Sequence, residues 1–217
     1  MTTINGGTVF DFTQRNRPVS KSVIIEDLND FSSIHSLGGG AKGVTSSNIY
    51  KRIVFVLSGQ LECNNRTTGH SWSCPKGSFT IFPENRTTDF MADVDTVALR
   101  IVVVNPTEIY PLLEDEKAYD LKELVPLHEG AASYVHILSC GNTKIWAVTT
   151  AEGKVMQADS LHSDMVYMCL EGEFEVVYDD KHHILKAGQC IYGHAGNAIT
   201  LKALSTPTRC LVMKDIL

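Results

Sequence analysis

The amino-acid sequence predicts an all-β protein made of two similar β-rich halves. Short runs rich in Val, Ile, Phe, Tyr and Thr recur along the chain, and Gly, Asn, Asp and Pro separate them. A pattern built around two glycines also occurs once in each half. Evenly spaced short strands of this kind are typical of sandwiches and barrels. With 217 residues, the chain is long enough to form two small domains, each with its own core.

The predicted strands follow one another through both halves. In chain order they cover residues 53–57, 78–82, 97–104, 133–138, 144–149, 166–170, 174–178, 190–192, 198–204 and 210–214. Helical periodicity is limited to residues 109–124. Pro111 lies within this stretch, and Pro106 and Pro126 lie on either side of it. Because proline interrupts a helix, we expect only one or two helical turns there.

The repeat consists of a strand, a glycine turn, a second strand, a short hairpin, another glycine turn and a third strand. Gly59 and Gly172 are equivalent positions 113 residues apart, and Gly77 and Gly188 are 111 residues apart. Tight turns of this kind need a positive φ or a close approach of the backbone, which glycine permits. The repeat therefore predicts two copies of one architecture.

Four segments that carry the repeat resemble the two motifs of the cupin superfamily, once per half. They read FVLSGQLE (55–62), PKGSFTIFPENRTTDFMA (75–92), YMCLEGEFEV (167–176) and LKAGQCIYGHAGNAITLKA (185–203). The resemblance implies a bicupin: two double-stranded β-helix (jelly-roll) barrels with internal cavities, joined by a short, partly helical linker. The corresponding domains are residues 1–105 and 131–217, with the linker at 106–130. The resemblance also implies a homodimer.

Many cupins hold a metal ion with three ligands before the first motif glycine and one ligand after the second. The equivalent positions in the first half are Ser46, Asn48, Arg52 and Thr88, and in the second half Asp159, Leu161, Met165 and Ile199. Of these, only Asp159 suits a hard metal, and a cation beside Arg52 is disfavoured. We therefore expect no metal and no other cofactor at the family position. A rearranged metal site around His162 and His194 remains an alternative.

The two predicted cavities differ in chemistry. The first is polar and lined by Ser46, Asn48, Arg52 and Thr88; the second is mainly apolar and lined or edged by Asp159, Leu161, His162, Met165, Tyr167, Cys169, Tyr192, His194 and Ile199. A half-buried Arg52 side chain needs an anionic partner. That partner is either a bound small acid or a nearby carboxylate such as Glu62, Glu84 or Asp89. A third alternative is that the Arg52 side chain points to solvent. The second cavity is a ligand pocket or an ordinary filled core.

Charge and hydropathy exclude several classes of partner. The chain carries 19 Lys and Arg against 25 Asp and Glu, a net charge of −6, and it has no basic cluster for nucleic acid. No window approaches the ~18 apolar residues that a membrane span needs. The start of the sequence lacks the features of a secretory signal, so a cytoplasmic location is expected. The six cysteines form no Cys-x-x-Cys pair and are expected to be reduced core residues.

These observations favour a cytoplasmic bicupin that binds a small molecule in a barrel cavity without the usual metal. They do not decide whether the protein is an enzyme. One alternative is a metal-dependent dioxygenase, isomerase or lyase with a nonstandard ligand set, and another is a non-catalytic interaction or structural module. Metal-free isomerase chemistry would need a His–carboxylate pair, for which Asp159 with His162 or His194 is the candidate.

Overall fold

A computed structural model describes residues 5–11, 20–28, 32–45, 50–104, 108–109, 113–128 and 132–215. The chain divides into two compact units. One, called here the N-terminal unit, comprises Thr13–Thr107 and Pro111–Glu123. The other, the C-terminal unit, comprises Leu124–Leu217 together with Met1–Phe12 and Glu108–Tyr110.

Strands dominate the described residues. In chain order the elements are β1 (Val9–Asp11), β2 (Val23–Asp27), β3 (Ser32–Leu37), β4 (Ala41–Thr45), β5 (Lys51–Ser58), β6 (Gln60–Asn65), β7 (Ser71–Pro75), β8 (Ser78–Phe82), β9 (Thr88–Ala92), β10 (Thr96–Val103), β11 (Glu108–Ile109), β12 (Ala118–Asp120), α1 (Leu121–Leu124), β13 (Ser133–Cys140), β14 (Thr143–Thr150), β15 (Val155–Ala158), β16 (Met165–Glu171), β17 (Glu173–Tyr178), β18 (Lys181–Lys186), β19 (Gln189–Gly193), β20 (Ile199–Ala203) and β21 (Thr208–Lys214). The all-β prediction is thus confirmed.

The N-terminal unit contains two antiparallel sheets that share one buried core. Their strand orders are β12-β8-β5-β10-β3-β2 and β4-β9-β6-β7. Val54, Phe82 and Ala98 of the larger sheet belong to the same buried cluster as Leu61 and Ala92 of the smaller one. Because side chains alternate along a strand, this cluster identifies the inward-facing set on β3, β5, β8 and β10.

Both faces of β5 are covered within the single chain. Ile53, Phe55 and Leu57 alternate with the inward-facing Val54 and Val56, and all five are at most 5% exposed. A central strand buried on both faces has a continuous apolar sequence, as β5 does. The apolar outer set therefore leaves no open surface on β5 that a second subunit would need to cover.

The C-terminal unit repeats this plan with different edges. Its sheets have the orders β1-β19-β16-β21-β14-β13-β11 and β15-β20-β17-β18. Tyr167 and Ile191 of the larger sheet share a buried cluster with Phe174, Leu185 and Leu201 of the smaller one. In the described residues, each unit thus has two separate sheets, and the closed barrels predicted from the sequence are not seen.

The four glycines of the repeat adopt the predicted backbone conformation. Their φ angles are +75° at Gly59, +80° at Gly77, +77° at Gly172 and +89° at Gly188. These values lie in the region that L side chains rarely adopt, which explains why the motif requires glycine.

The segment predicted as a partly helical linker is largely incorporated into the two units. Among its described residues, β11 pairs with β13 and β12 pairs with β8. The only helix among the described residues, α1, is a single turn. Asp120 caps its N-terminus, because the Asp120 carboxylate accepts a hydrogen bond from the Lys122 amide at 2.8 Å. Within the described ranges, no helix is long and apolar enough to cross a membrane.

Candidate functional site

The most unusual group of side chains in the described residues is a cationic cluster on the inward face of the N-terminal unit. We call Ser33, His35, Arg52 and Arg100 the arginine cluster. They lie on the neighbouring strands β3, β5 and β10, where Arg100 is in register with Val54 on one side and Ser33 on the other. Arg52 has the same parity along β5 as the core residue Val54, so its side chain faces inward.

Hydrogen bonds connect part of the arginine cluster. The Arg100 Nε–H donates to Ser33 Oγ at 3.1 Å, and this hydroxyl lies 3.0 Å from His35 Nε2. Arg52 is only 4% exposed, and its buried Nε–H has no hydrogen-bond partner. A buried donor that lacks a partner costs free energy, more so when it is charged.

Positive charge dominates the electrostatics of the cluster. Burial lowers the pKa of Arg52, and the nearby Arg100 lowers it further. Burial also lowers the pKa of His35 to about 4, an effect that Arg100 and Arg52 increase and Asp27 opposes. His35 is therefore neutral at pH 7, while both guanidinium groups remain charged.

The carboxylates that were alternatives as partners for Arg52 do not pair with it. Asp89 binds Arg66 instead, with the Arg66 Nη2 to Asp89 Oδ1 distance at 2.7 Å, and Glu62 accepts a hydrogen bond from Gln60. In the part of the chain that the structure describes, no carboxylate lies within ion-pair distance of Arg52 or Arg100. A buried arginine beside a partly buried one, with no carboxylate paired to either among the described residues, is an arrangement that suits an anion.

A small cavity adjoins the cluster. His35 and Arg100 line it together with six apolar side chains: Leu37, Val54, Leu61, Phe82, Phe90 and Ala98. Its volume is about 30 Å³. That volume holds roughly two or three waters.

Two of the four positions predicted for the first cavity are described. Arg52 belongs to the arginine cluster, and Thr88 is a buried residue at the start of β9, in register with Thr45. Ser46 and Asn48 lie outside the described residues.

The apolar positions predicted for the second cavity are part of the core of the C-terminal unit. Leu161, Tyr167, Cys169 and Ile199 are buried in one cluster, and Met165 packs against it. Burial raises the pKa of both Tyr167 and Cys169 to about 12. Both side chains therefore stay protonated near neutral pH, which disfavours a role as a base or a nucleophile. These residues form the filled core that the sequence left open as an alternative to a pocket.

The polar positions predicted for the second cavity separate into exposed residues and one cluster. Asp159 and His162 are exposed, and Asp159 accepts a hydrogen bond from Gln157 at 2.7 Å. The carboxylate that neighbours His194 is Asp164, whose Oδ1 lies 3.5 Å from His194 Nδ1. The pairing of Asp159 with His194, considered from the sequence, is replaced by this one.

Asp164 holds together the turn that follows β19. It accepts hydrogen bonds from the Tyr192 hydroxyl at 2.6 Å and from the Ala195 amide at 2.9 Å. The Tyr192 bond is the main reason why the pKa of Asp164 is lowered, while burial followed by this bond raises the pKa of Tyr192. The His194 and Tyr192 rings lie edge to face, 4.6 Å apart. The arrangement stabilises the turn and keeps the Asp164 carboxylate charged.

The side chains at the family's metal-binding positions do not fit a metal ion. In the C-terminal unit, three of the four positions carry Leu161, Met165 and Ile199 in a packed core. In the N-terminal unit, the described positions carry Thr88 and a buried, charged Arg52. Across the described ranges, no three His, Cys, Asp or Glu side chains converge to hold a metal.

Comparison with solved structures identifies the fold. No protein-family model matches the sequence, and no curated protein matches it. Among solved structures, a cupin 2 conserved barrel domain protein from Leptotrichia buccalis superposes with a TM-score of 0.80 at 17% identity, covering 99% of each chain. The protein has a cupin fold.

Two further cupin-fold neighbours are more distant. A salicylate 1,2-dioxygenase from Pseudaminobacter salicylatoxidans has a TM-score of 0.66 at 11% identity, over 96% of this chain and 83% of its own. A variant of oxalate decarboxylase from Bacillus subtilis has a TM-score of 0.62 at 11% identity, over 98% and 78%. At these identities the likeness concerns the fold alone.

Sequence reasoning identified Arg52 but missed Ser33, His35 and Arg100. A signal for Arg100 was present, because it is the single charged residue of an otherwise apolar strand, Thr96–Val103. His35 and Ser33 lie on β3, which the sequence did not predict as a strand. Without that strand, no register placed them beside the two arginines.

Proposed function

We propose that this cupin-fold protein binds a small anion at the arginine cluster. The observation that carries the proposal is Arg52, which is 4% exposed, has an unpartnered Nε–H and lacks a carboxylate in the described chain. A bound anion would provide the missing acceptor and reduce the repulsion between Arg52 and Arg100. We thus assign small-molecule binding to the interior of the N-terminal unit, and we assign the ligand a negative charge.

The chemistry of the cluster suits a carboxylate or a similar planar anion. Guanidinium groups donate in a fixed fork that matches two carboxylate oxygens. Oxalate and salicylate, which the two distant fold neighbours act on by name, are both carboxylates, although the proposal rests on Arg52 and not on them. Whether binding leads to a reaction is left open, since no acid–base pair is positioned at this cluster among the described residues.

We also propose that the chain is a bicupin. Two units with matching glycine turns and two sheets each support a bicupin, with domains near the predicted limits of 1–105 and 131–217. Homodimerisation and a cytoplasmic location stay predictions from the sequence. The metal-dependent enzyme and the purely structural module stay as rivals, and neither explains an unpaired, buried Arg52.

Calorimetric titration with sodium acetate, in a buffer free of other carboxylates and of phosphate, tests the proposal. Wild-type protein is expected to bind acetate, and Arg52→Gln and Arg100→Gln are each expected to weaken binding at least ~30-fold, as when one partner of a buried charge pair is removed. Arg66→Gln is the matched control, because Arg66 is an exposed arginine of the same unit that is paired with Asp89.

Circular dichroism of each variant must match the wild type before affinities are compared. Unchanged acetate binding by both Arg52→Gln and Arg100→Gln would remove the arginine cluster from the proposal. A wild-type protein that binds neither acetate nor chloride would leave the structural module as the better reading.

A further inference from the structure

We propose that the anion bound by the arginine cluster is a monocarboxylate with a short apolar tail. This inference rests on the proposed function and adds the class of ligand. The tail would occupy the small cavity beside the cluster, with the carboxylate at Arg52 and Arg100. The ligand would thus be amphiphilic, charged at one end and apolar at the other.

The distribution of side chains around the cavity supports a ligand with two different ends. His35 and Arg100 are the polar residues of its lining, and both belong to the cluster. The rest of the lining is apolar, with Val54 and Ala98 on the larger sheet and Leu61 and Phe90 contributed by the smaller one. Both polar side chains of the lining therefore belong to the larger sheet, and the smaller sheet contributes apolar side chains alone.

A second charged or strongly polar group on the ligand is disfavoured. Across the cavity, the smaller sheet offers Leu61 and Phe90, and neither carries a hydrogen-bonding side chain. A second carboxylate placed there would lose its hydration without gaining a partner, which is costly. Dicarboxylates and sugars are therefore expected to bind more weakly than monocarboxylates of similar length.

The size of the cavity limits the length of the tail. Its volume of about 30 Å³ holds roughly two or three waters, and so about two or three carbon atoms. Each methylene group that enters an apolar site gains affinity by roughly fourfold, until the space is filled. Affinity is thus expected to rise from formate to butyrate and to stop rising, or to fall, with hexanoate.

Calorimetry with formate, acetate, propionate, butyrate, hexanoate and succinate tests the inference on the full-length protein. Two variants change the cavity in opposite directions. Ala98→Val narrows it, because Ala98 lines it and is 1% exposed, and Val54→Ala widens it. Ala98→Val is expected to weaken butyrate by at least ~10-fold while changing formate less than ~2-fold. Val54→Ala should move the optimum toward hexanoate.

The outcomes separate this inference from the proposed function. Equal affinities for formate and butyrate, with both variants unchanged, would overturn the apolar tail while leaving anion binding in place. Succinate binding more tightly than butyrate would also overturn it. Loss of all binding in the wild type would instead remove the proposed function. If Ala98→Val does not fold, the Val54→Ala series and the wild-type chain-length profile still decide the question.

Discussion

At the residue scale, the central feature is a buried arginine whose charge nothing in the described chain balances. Arg52 lies among the apolar inward residues of β5, and Arg100 lies on the adjacent strand. A guanidinium group left unpaired in a dry interior is strongly destabilising, and Arg52 is the buried one of the two, whereas Arg100 is partly buried and donates to Ser33. Their presence together is the kind of local conflict between stability and sequence that marks a functional site.

The ionisation of His35 makes the free energy of unfolding depend on pH, and this dependence reports on the environment of the arginine cluster. Its pKa is lowered from 6.5 to about 4, mainly by burial and then by Arg100, so the unfolded chain takes up the proton first as pH falls. Stability is expected to decrease between pH 6.5 and about 4, with His35 contributing about 3 kcal/mol to that decrease. Urea unfolding of wild type and His35→Gln across this range measures the difference.

The exposed His128 provides the comparison for this experiment, as His128→Gln should lose stability with acid in the same way as the wild type. Asp27, Arg52 and Arg100 are the charged groups that act on His35, and all three remain in both variants. A His35→Gln protein whose acid dependence equals that of the wild type would show that His35 titrates normally.

At the element scale, the glycine turns between strands fix the geometry of each unit. Gly59 joins β5 to β6 with a φ of +75°, and a Cβ placed there would meet the Asp95 carbonyl and Thr96. Thr96 Oγ1 accepts the Gln60 amide at 3.0 Å, so the turn and the start of β10 form one hydrogen-bonded corner. Gly77 has a similar φ, but nothing lies within 4 Å of the equivalent Cβ.

This pair of glycines allows backbone strain to be separated from crowding. Gly77→Ala is expected to cost about 1 kcal/mol of unfolding free energy from the positive φ alone. Gly59→Ala should cost that amount plus roughly 1–3 kcal/mol, because the corner must shift to admit a methyl group. The midpoints of urea unfolding at constant slope measure both values, and equal midpoints would contradict the role given to the corner.

At the scale of the whole molecule, chain order and spatial order differ at the N-terminus. β1 pairs with β19 of the C-terminal unit, placing Phe10 opposite Cys190. Gly7 donates to the Tyr192 carbonyl at 2.7 Å, and the Tyr192 amide donates to the Thr8 carbonyl at 3.4 Å. The first strand of the sequence is therefore an edge strand of a sheet otherwise formed by residues after 107.

Deleting residues 1–11 is expected to increase hydrogen exchange in the distant strand β19. The Tyr192 amide loses its acceptor and should exchange at least ~10-fold faster, as amides do at an unpaired sheet edge. The neighbouring Ile191 amide points to the opposite strand, β16, and serves as an internal control. Unchanged exchange at Tyr192, measured by NMR, would mean that β1 does not stabilise β19.

Much of the fold was predictable, because it depends on local patterns. The ten predicted strands and the four glycine turns follow from β-branched runs and from the backbone conformation that the turns require, and the structure confirms them. The strands before residue 46 were missed, and so were β9, β11, β12 and β15. β2 pairs with β3, β3 pairs in turn with the remote strand β10, and the sequences of β2 and β3 mix Ser, His and charged residues.

The sequence alone determined an all-β chain of two similar halves, a likeness to cupins, and metal-binding positions without suitable ligands. It also singled out Arg52 as an inward-facing charge. Only the tertiary structure decided what surrounds that charge, because Ser33, His35 and Arg100 are brought to it by pairing between strands distant in sequence. It likewise decided that Asp164, and not Asp159, lies beside His194. Strand periodicity is a local property of the chain, whereas the electrostatic environment of a buried group depends on contacts between remote residues.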